Sequence, residues 1–173
     1  MSTASLSEIH HGVLMNISDC GVLITGQAGI GKSSLALELL HHGHQLIADD
    51  AVEFSLHNAD VSGTCPVMLS QLLHCRELGI LSVTDLFGNK AWQSQINLDY
   101  VIHLQKNLLL PSAITPKPIF YTVLGKCFPQ LTLDINTPAS LHYRIVTWLA
   151  MQAANHHTGN RLQHRQHAKM MTQ

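Results

Sequence analysis

Two spacings of apolar residues run along the chain, one continuous and one helical. Gly21–Thr25 (GVLIT) is a short, unbroken, β-branched run, which predicts a strand buried on both faces. A glycine-rich turn follows at once. From Ser33 the stretch SSLALELLHH sets Leu35 against Leu39 and Ala36 against Leu40 at helical spacing, and Gly43 stands where a helix end takes a left-handed residue. Gln45–Ala48 (QLIA) predicts a second buried strand running into Asp49-Asp50. Val52–Leu56 and Val61–Thr64 predict a hairpin around His57-Asn58-Ala59-Asp60.

Further along, Val67–Cys75 (VMLSQLLHC) predicts a short helix, Ile80–Val83 a strand or turn, and Tyr100–Leu104 (YVIHL) another strand. The prolines of PSAITPKP make Pro111–Pro118 a loop. Ile119–Leu124 and Leu131–Ile135 predict strands. Ser140–Met151 predicts a helix, with Leu141, Ile145, Trp148 and Leu149 on one face. No repeat, low-complexity tract or linker precedes about residue 155; the expected domain is therefore 1–155. The remainder, 156–173, is polar, carries four His, two Arg and one Lys without an apolar stripe, and is expected to be flexible.

Composition narrows the functional classes. Of 173 residues, 46% are hydrophobic and 12% charged, with 10 Lys+Arg against 11 Asp+Glu for a formal net charge of -1. A nucleic-acid or anionic-membrane binder would need a basic surface, so neither partner is expected. The 13 histidines outnumber Lys and Arg together, so mild acidification makes the chain more cationic. No apolar run reaches the length of a membrane-spanning helix, and MSTASLSEIHHG lacks the basic and apolar regions of a signal peptide, which predicts a cytoplasmic protein. Cys20, Cys65, Cys75 and Cys127 are widely spaced and read as buried free thiols.

The candidate chemistry lies at Gly26–Ser33. GQAGIGKS fits G-x-x-x-x-G-K-S/T without a mismatch and sits between a predicted strand and a predicted helix. In such a loop, Gly26, Gln27, Ala28, Gly29, Ile30 and Gly31 wrap polyphosphate with backbone N–H groups at a helix N-terminus. Lys32 reaches the β/γ oxygens, and Ser33 is the first-turn hydroxyl that ligates Mg²⁺, which implies ATP and Mg²⁺ as cofactors. The fold class is thus α/β, a P-loop nucleotide-binding domain with a mixed central sheet flanked by helices. An isolated Asp-Asp is equally a solvated turn. Beside this loop it reads as the acidic site of a P-loop sheet, with Asp49 in the metal shell and Asp50 as the base that takes a proton from the attacking nucleophile. His10, His41, His42, His44 and His57 read as solvated helix-end or turn residues.

These residues resemble the C-terminal catalytic domain of bacterial HPr kinase/phosphorylase. The matching blocks are His11-Gly12-Val13-Leu14, GVLITGQAGIGKSSLALELL, HGHQLIADDAVEF and Leu72–Gly88 (LLHCRELGILSVTDLFG), the last similar to a family signature close to LLEIRGLGIINVxxLFG. The resemblance spans about residues 10 to 104. It implies ATP- or pyrophosphate-dependent phosphorylation of a serine on an HPr-like phosphocarrier protein, and removal of that phosphate by inorganic phosphate. It further implies a homo-oligomer, hexameric in the full-length family, of which this chain is expected to be a short form lacking the N-terminal domain. By position, His11 matches the family's active-site histidine, Lys32 its loop lysine, Ser33 its metal-binding serine, Asp50 its proton acceptor and donor, and Asp49 the partner carboxylate.

The chain also departs from the pattern. His74 stands where the family has a magnesium-binding Glu, and Glu77 where it has Gly; a helix over this stretch would let Glu77 supply the carboxylate from three residues along. Imidazole is the poorer Mg²⁺ ligand. The family's catalytic arginine has no counterpart in Gln105–Pro118, whose basic residues are Lys106 and Lys117. Gly125-Lys126 is a weak match to a basic loop used in phosphorolysis. Two other readings therefore stay open: a nucleotide-binding regulatory module without transfer chemistry, and a P-loop kinase for a different acceptor.

Overall fold

The buried run predicted at residues 21–25 is the axis of the fold. The computed structural model describes residues 6–109 and 117–154. Strand β3 (Cys20–Gly26) is buried from Gly21 to Thr25 because it is paired on both sides, antiparallel to β2 (Val13–Ile17) and parallel to β9 (Gln95–Gln105). Neither β2 nor the first half of β9 was expected from the sequence. Ser18 and Asp19 join β2 to β3 with φ of 53° and 64°, the tight hairpin turn more often signalled by Asn-Gly. The loop after β3 leads into α1 (Lys32–His41), whose buried positions include the predicted pairs Leu35/Leu39 and Ala36/Leu40. Gly43, at φ 84°, closes the helix: its N–H donates to the Leu40 carbonyl and that of His44 to Leu39. The chain then returns through β4 (Gln45–Ala48), which pairs antiparallel with β2.

The hairpin predicted next is β5 (Ala51–His57) and β6 (Asp60–Thr64), turning through Asn58 and Ala59. β1 (Ser7–His11) adds to β5. β6 pairs with Gln95–Asn97 of β9, and β11 (Lys126–Asp134) runs parallel to Val101–Gln105 of the same strand. β10 (Ile119–Val123) folds back on β11 through Leu124-Gly125. The result is a nine-stranded mixed sheet in the order β1-β5-β6-β9-β3-β2-β4, with β11 and β10 branching from β9. The mixed sheet bears out the expected fold class.

The sheet curls until its outer strands meet. Glu8 on β1 accepts the Leu124 N–H at 3.0 Å, and His10 Nδ1 lies 2.9 Å from the Tyr121 hydroxyl of β10, with the His10 ring edge-on to Phe54 and Tyr121. Inside the curl lie Leu14, Leu23, Val52, Phe54, Leu98, Val101 and Val123. Each such buried side chain contributes about 1.5–3 kcal/mol of transfer free energy.

Val67–Cys75 is not one helix. A 3-10 turn at Val67–Leu69 gives way to β7 (Leu72–Cys75), which pairs with β8 (Gly79–Ser82) as a separate two-stranded sheet. Gln71, at φ 64°, ends any helical path, and Leu73 and Cys75 are buried at strand spacing. A short apolar run does not distinguish the two periods, and here pairing decides. α2 (Val83–Phe87) follows, its N-terminus capped by the Ser82 hydroxyl.

Described by itself, the second compact unit, Ala139–Gln173, holds the predicted C-terminal helix, α3, at residues 141–154. The tail 156–173 and residues 110–116 of the proline loop lie outside the described residues. Among the described residues no helix is long and apolar enough to cross a membrane. The four cysteines are free, but only Cys75 is buried; Cys20 and Cys65 are half-buried and Cys127 is exposed. One histidine expected in solvent is packed instead, His10 in the seam just described; His41 is exposed at the end of α1 as expected, its ring meeting Phe87 edge-on at 5.0 Å.

Candidate active site

The glycine loop takes its shape from positions where a side chain is excluded or unnecessary. A Cβ on Gly26 would stand 2.7 Å from the Leu104 carbonyl, because β3 and β9 approach closely there. Gly31, at φ 108°, caps α1 without a side-chain hydrogen bond, and a Cβ there would meet nothing within 4 Å. The start of α1 thus opens on the cavity that Gly31, Lys32 and Ser33 line, the position an anion site at a helix N-terminus requires. Ile30 is buried and its N–H donates to Gln27, so Gln27 and Ile30 shape the loop. Ala28, Gly29, Gly31, Lys32 and Ser33 line its cavity; Gly26, Gln27 and Ile30 do not. Lys32 is 8% exposed, and its Nζ donates to the carbonyls of Gly26 at 3.1 Å and Gln27 at 3.3 Å. Its charge is thus held within the loop.

Strand β4 delivers the two aspartates to opposite tasks. Asp49 is buried; it accepts the Ser33 hydroxyl at 2.9 Å on one oxygen and the His74 backbone N–H at 2.8 Å on the other. A hydroxyl and a carboxylate so coupled form a hard-oxygen donor set suited to Mg²⁺. Asp50 points outward from a strained backbone. Its φ is 71°, and the Ala51 N–H bonds the Asp49 carbonyl across it at 2.9 Å, a γ-turn of the rare hand. Its Oδ1 lies 3.1 Å from His11 Nδ1. That contact follows from the sheet: β1 places His11 opposite Ala51, and the Gly12 N–H donates to the Asp50 carbonyl.

The β7–β8 hairpin forms the other wall. It brings His74, Arg76 and Glu77 to the same cavity of about 320 Å³ that His11, Lys32 and both aspartates line. Glu77 sits in the hairpin turn, not on a helix face as expected, because Cys75 pairs with Gly79 and leaves Arg76, Glu77 and Leu78 as the loop. Burial, then the carboxylates of Asp49 and Glu77, push the Cys75 thiol upward, so both carboxylates act on this strand end and Cys75 is a poor nucleophile. Arg76 was assigned no task by sequence reasoning; its only signal was its place in the second matching block. Lys126 opens β11 beside the Leu124-Gly125 turn and is not among the residues lining the cavity.

With this geometry in view, the relatives are informative. The HPr kinase/phosphorylases of Xanthomonas campestris pv. campestris and Xanthomonas oryzae pv. oryzae are each 46% identical to the chain over 129 residues. That region is 74% of this chain but 40% of each relative, so the chain spans about 40% of the length of the curated relatives it matches. The solved structure of the Hpr(Ser) kinase/phosphatase from Coxiella burnetii superposes with a TM-score of 0.80 at 30% identity, over 91% of this chain and 97% of that one. The sequence matches the HPr Serine kinase C-terminal domain over residues 2–169, and the chain belongs to that family.

Proposed function

We propose that the chain is an ATP-dependent serine kinase acting on an HPr-like phosphocarrier protein, able also to remove the phosphate by phosphorolysis. The observation that carries this reading is the meeting of Lys32, the Ser33–Asp49 pair and the Asp50–His11 pair around one cavity. In the forward direction the acceptor serine oxygen bonds to the γ-phosphorus, the bond to the bridging oxygen of ADP breaks, and the serine proton passes to Asp50. His11 Nδ1 holds that carboxylate in line. In reverse, inorganic phosphate attacks the phosphoserine phosphorus, Asp50 returns its proton to the departing serine oxygen, and pyrophosphate leaves. Lys32, freed from the loop carbonyls, faces the β/γ oxygens, and the helix N-terminus binds the rest of the polyphosphate. Bound through Ser33 and Asp49, Mg²⁺ would neutralise charge on the phosphoryl oxygens.

Radiolabelled ATP incubated with purified HPr should transfer label to a serine, and inorganic phosphate added to that product should release labelled pyrophosphate. Lys32→Ala should lose transfer by about 10²-fold or more; transfer by this variant at the rate of the unaltered chain rejects the assignment. His74 in the cavity favours one rival, a regulatory module. ATP binding by the unaltered chain without label on any HPr-like protein selects it, and label on another acceptor selects a kinase of different substrate. A soluble homo-oligomer acting in the cytoplasm is part of this proposal, and light scattering measures its size.

A further inference from the structure

We infer that Arg76, at the tip of the β7–β8 hairpin, is the guanidinium that clamps the terminal phosphates of the bound nucleotide, an inference that rests on reading the glycine loop as the polyphosphate site. Three observations converge on it. A Cβ built on Gly29 would stand 3.3 Å from a guanidinium nitrogen of Arg76, so the head group lies against the loop where the missing side chain leaves room. Arg76 lines the same cavity as Gly31 and Lys32. Among the described residues no carboxylate pairs with Arg76: the ion pairs nearest the cavity and the seam, His11 with Asp50 and His10 with Glu8, leave its charge unheld.

The rest of the chain strengthens the assignment. Lys32 is engaged by two carbonyls of its own loop, and Arg76 is the only arginine in the first 143 residues. Its planar fork gives two parallel donors to a phosphate group, which an ammonium cannot reproduce. The hairpin is fastened to the site by the His74 N–H on Asp49 and by the Cys75 thiol, which reaches the Ser33 carbonyl at 3.8 Å. The clamp therefore rests on the same hairpin that orients Asp49.

Calorimetric titration of the intact chain with a non-hydrolysable ATP analogue, pyrophosphate and AMP tests this without any protein acceptor. Arg76→Gln should weaken the ATP analogue and pyrophosphate by about 10- to 100-fold and leave AMP within about twofold. Arg76→Lys should recover only part of the loss. Arg76 is exposed in a turn, so the thermal midpoints of both variants should match that of the unaltered chain. Unchanged affinity for the analogue and pyrophosphate in Arg76→Gln overturns the clamp alone, as does an equal loss for AMP. Failure of the unaltered chain to bind either polyphosphate overturns the loop reading and the clamp together.

Discussion

Asp50 combines a proposed proton-accepting role with a backbone that an ordinary residue avoids. At φ 71° a non-glycine residue costs about 1–2 kcal/mol, less for Asp, whose short polar side chain tolerates this region. Asp50→Gly should therefore be about 1–2 kcal/mol more stable to denaturant than Asp50→Ala, although both lose the contact to His11. Equal stabilities would show that the turn is not strained. Both variants should lose phosphoryl transfer by about 10²–10⁴-fold, the scale of a missing general base. The residues proposed for chemistry in the loop and at β4 were legible in the sequence, because their spacing is itself the requirement of a loop that wraps phosphate. Arg76 was not, because its relation to Gly29 exists only once a hairpin separated by a whole helix and three strands has been laid across the loop.

Strand β1 shows why elements can be hidden. SEIHH has one strongly apolar residue, Ile9, and that residue is exposed; nothing in its pattern announces a strand. It exists because β5 offers an edge, and because Glu8 and His10 close the seam to β10. The hydrogen bond from His10, then that from the Leu124 N–H, holds the Glu8 carboxyl below its ordinary range. A depressed carboxyl adds stability above its unfolded pKa and loses it as pH falls through the folded one. Thermal midpoints should thus fall less steeply below about pH 4.5 for Glu8→Gln than for the unaltered chain. The comparison separates Glu8 from Asp99, whose carboxyl is raised mainly by burial and works in the opposite sense. Identical slopes would show that Glu8 does not titrate with the fold. The helix predicted at residues 67–75 failed for the complementary reason: its apolar residues fit two periods, and the partner strand that decides between them is set by tertiary pairing.

At the scale of the molecule, the mixed sheet was legible from buried runs, and its order was not. β9 receives β3, β6 and β11, so one strand joins the loop wall to both hairpins. Sequence pattern marked only its apolar second half, since Gln95, Asn97 and Asp99 break the run. The β7–β8 hairpin stands outside this sheet and is bound to the site through Asp49 and Ser33. Local openings follow the free energy of the unit that opens, and a two-stranded unit is marginal without its neighbours. Amides of Leu72–Ser82 should exchange with deuterium faster than those of β3, and addition of an ATP analogue should slow them more than those of β3; no change on adding it would separate the hairpin from the nucleotide. The separateness of that hairpin makes half of the site a conditional structure. With the exchange pattern expected above, its wall would be held as a local equilibrium, and a ligand would draw on its own binding energy to complete the enclosure that holds it.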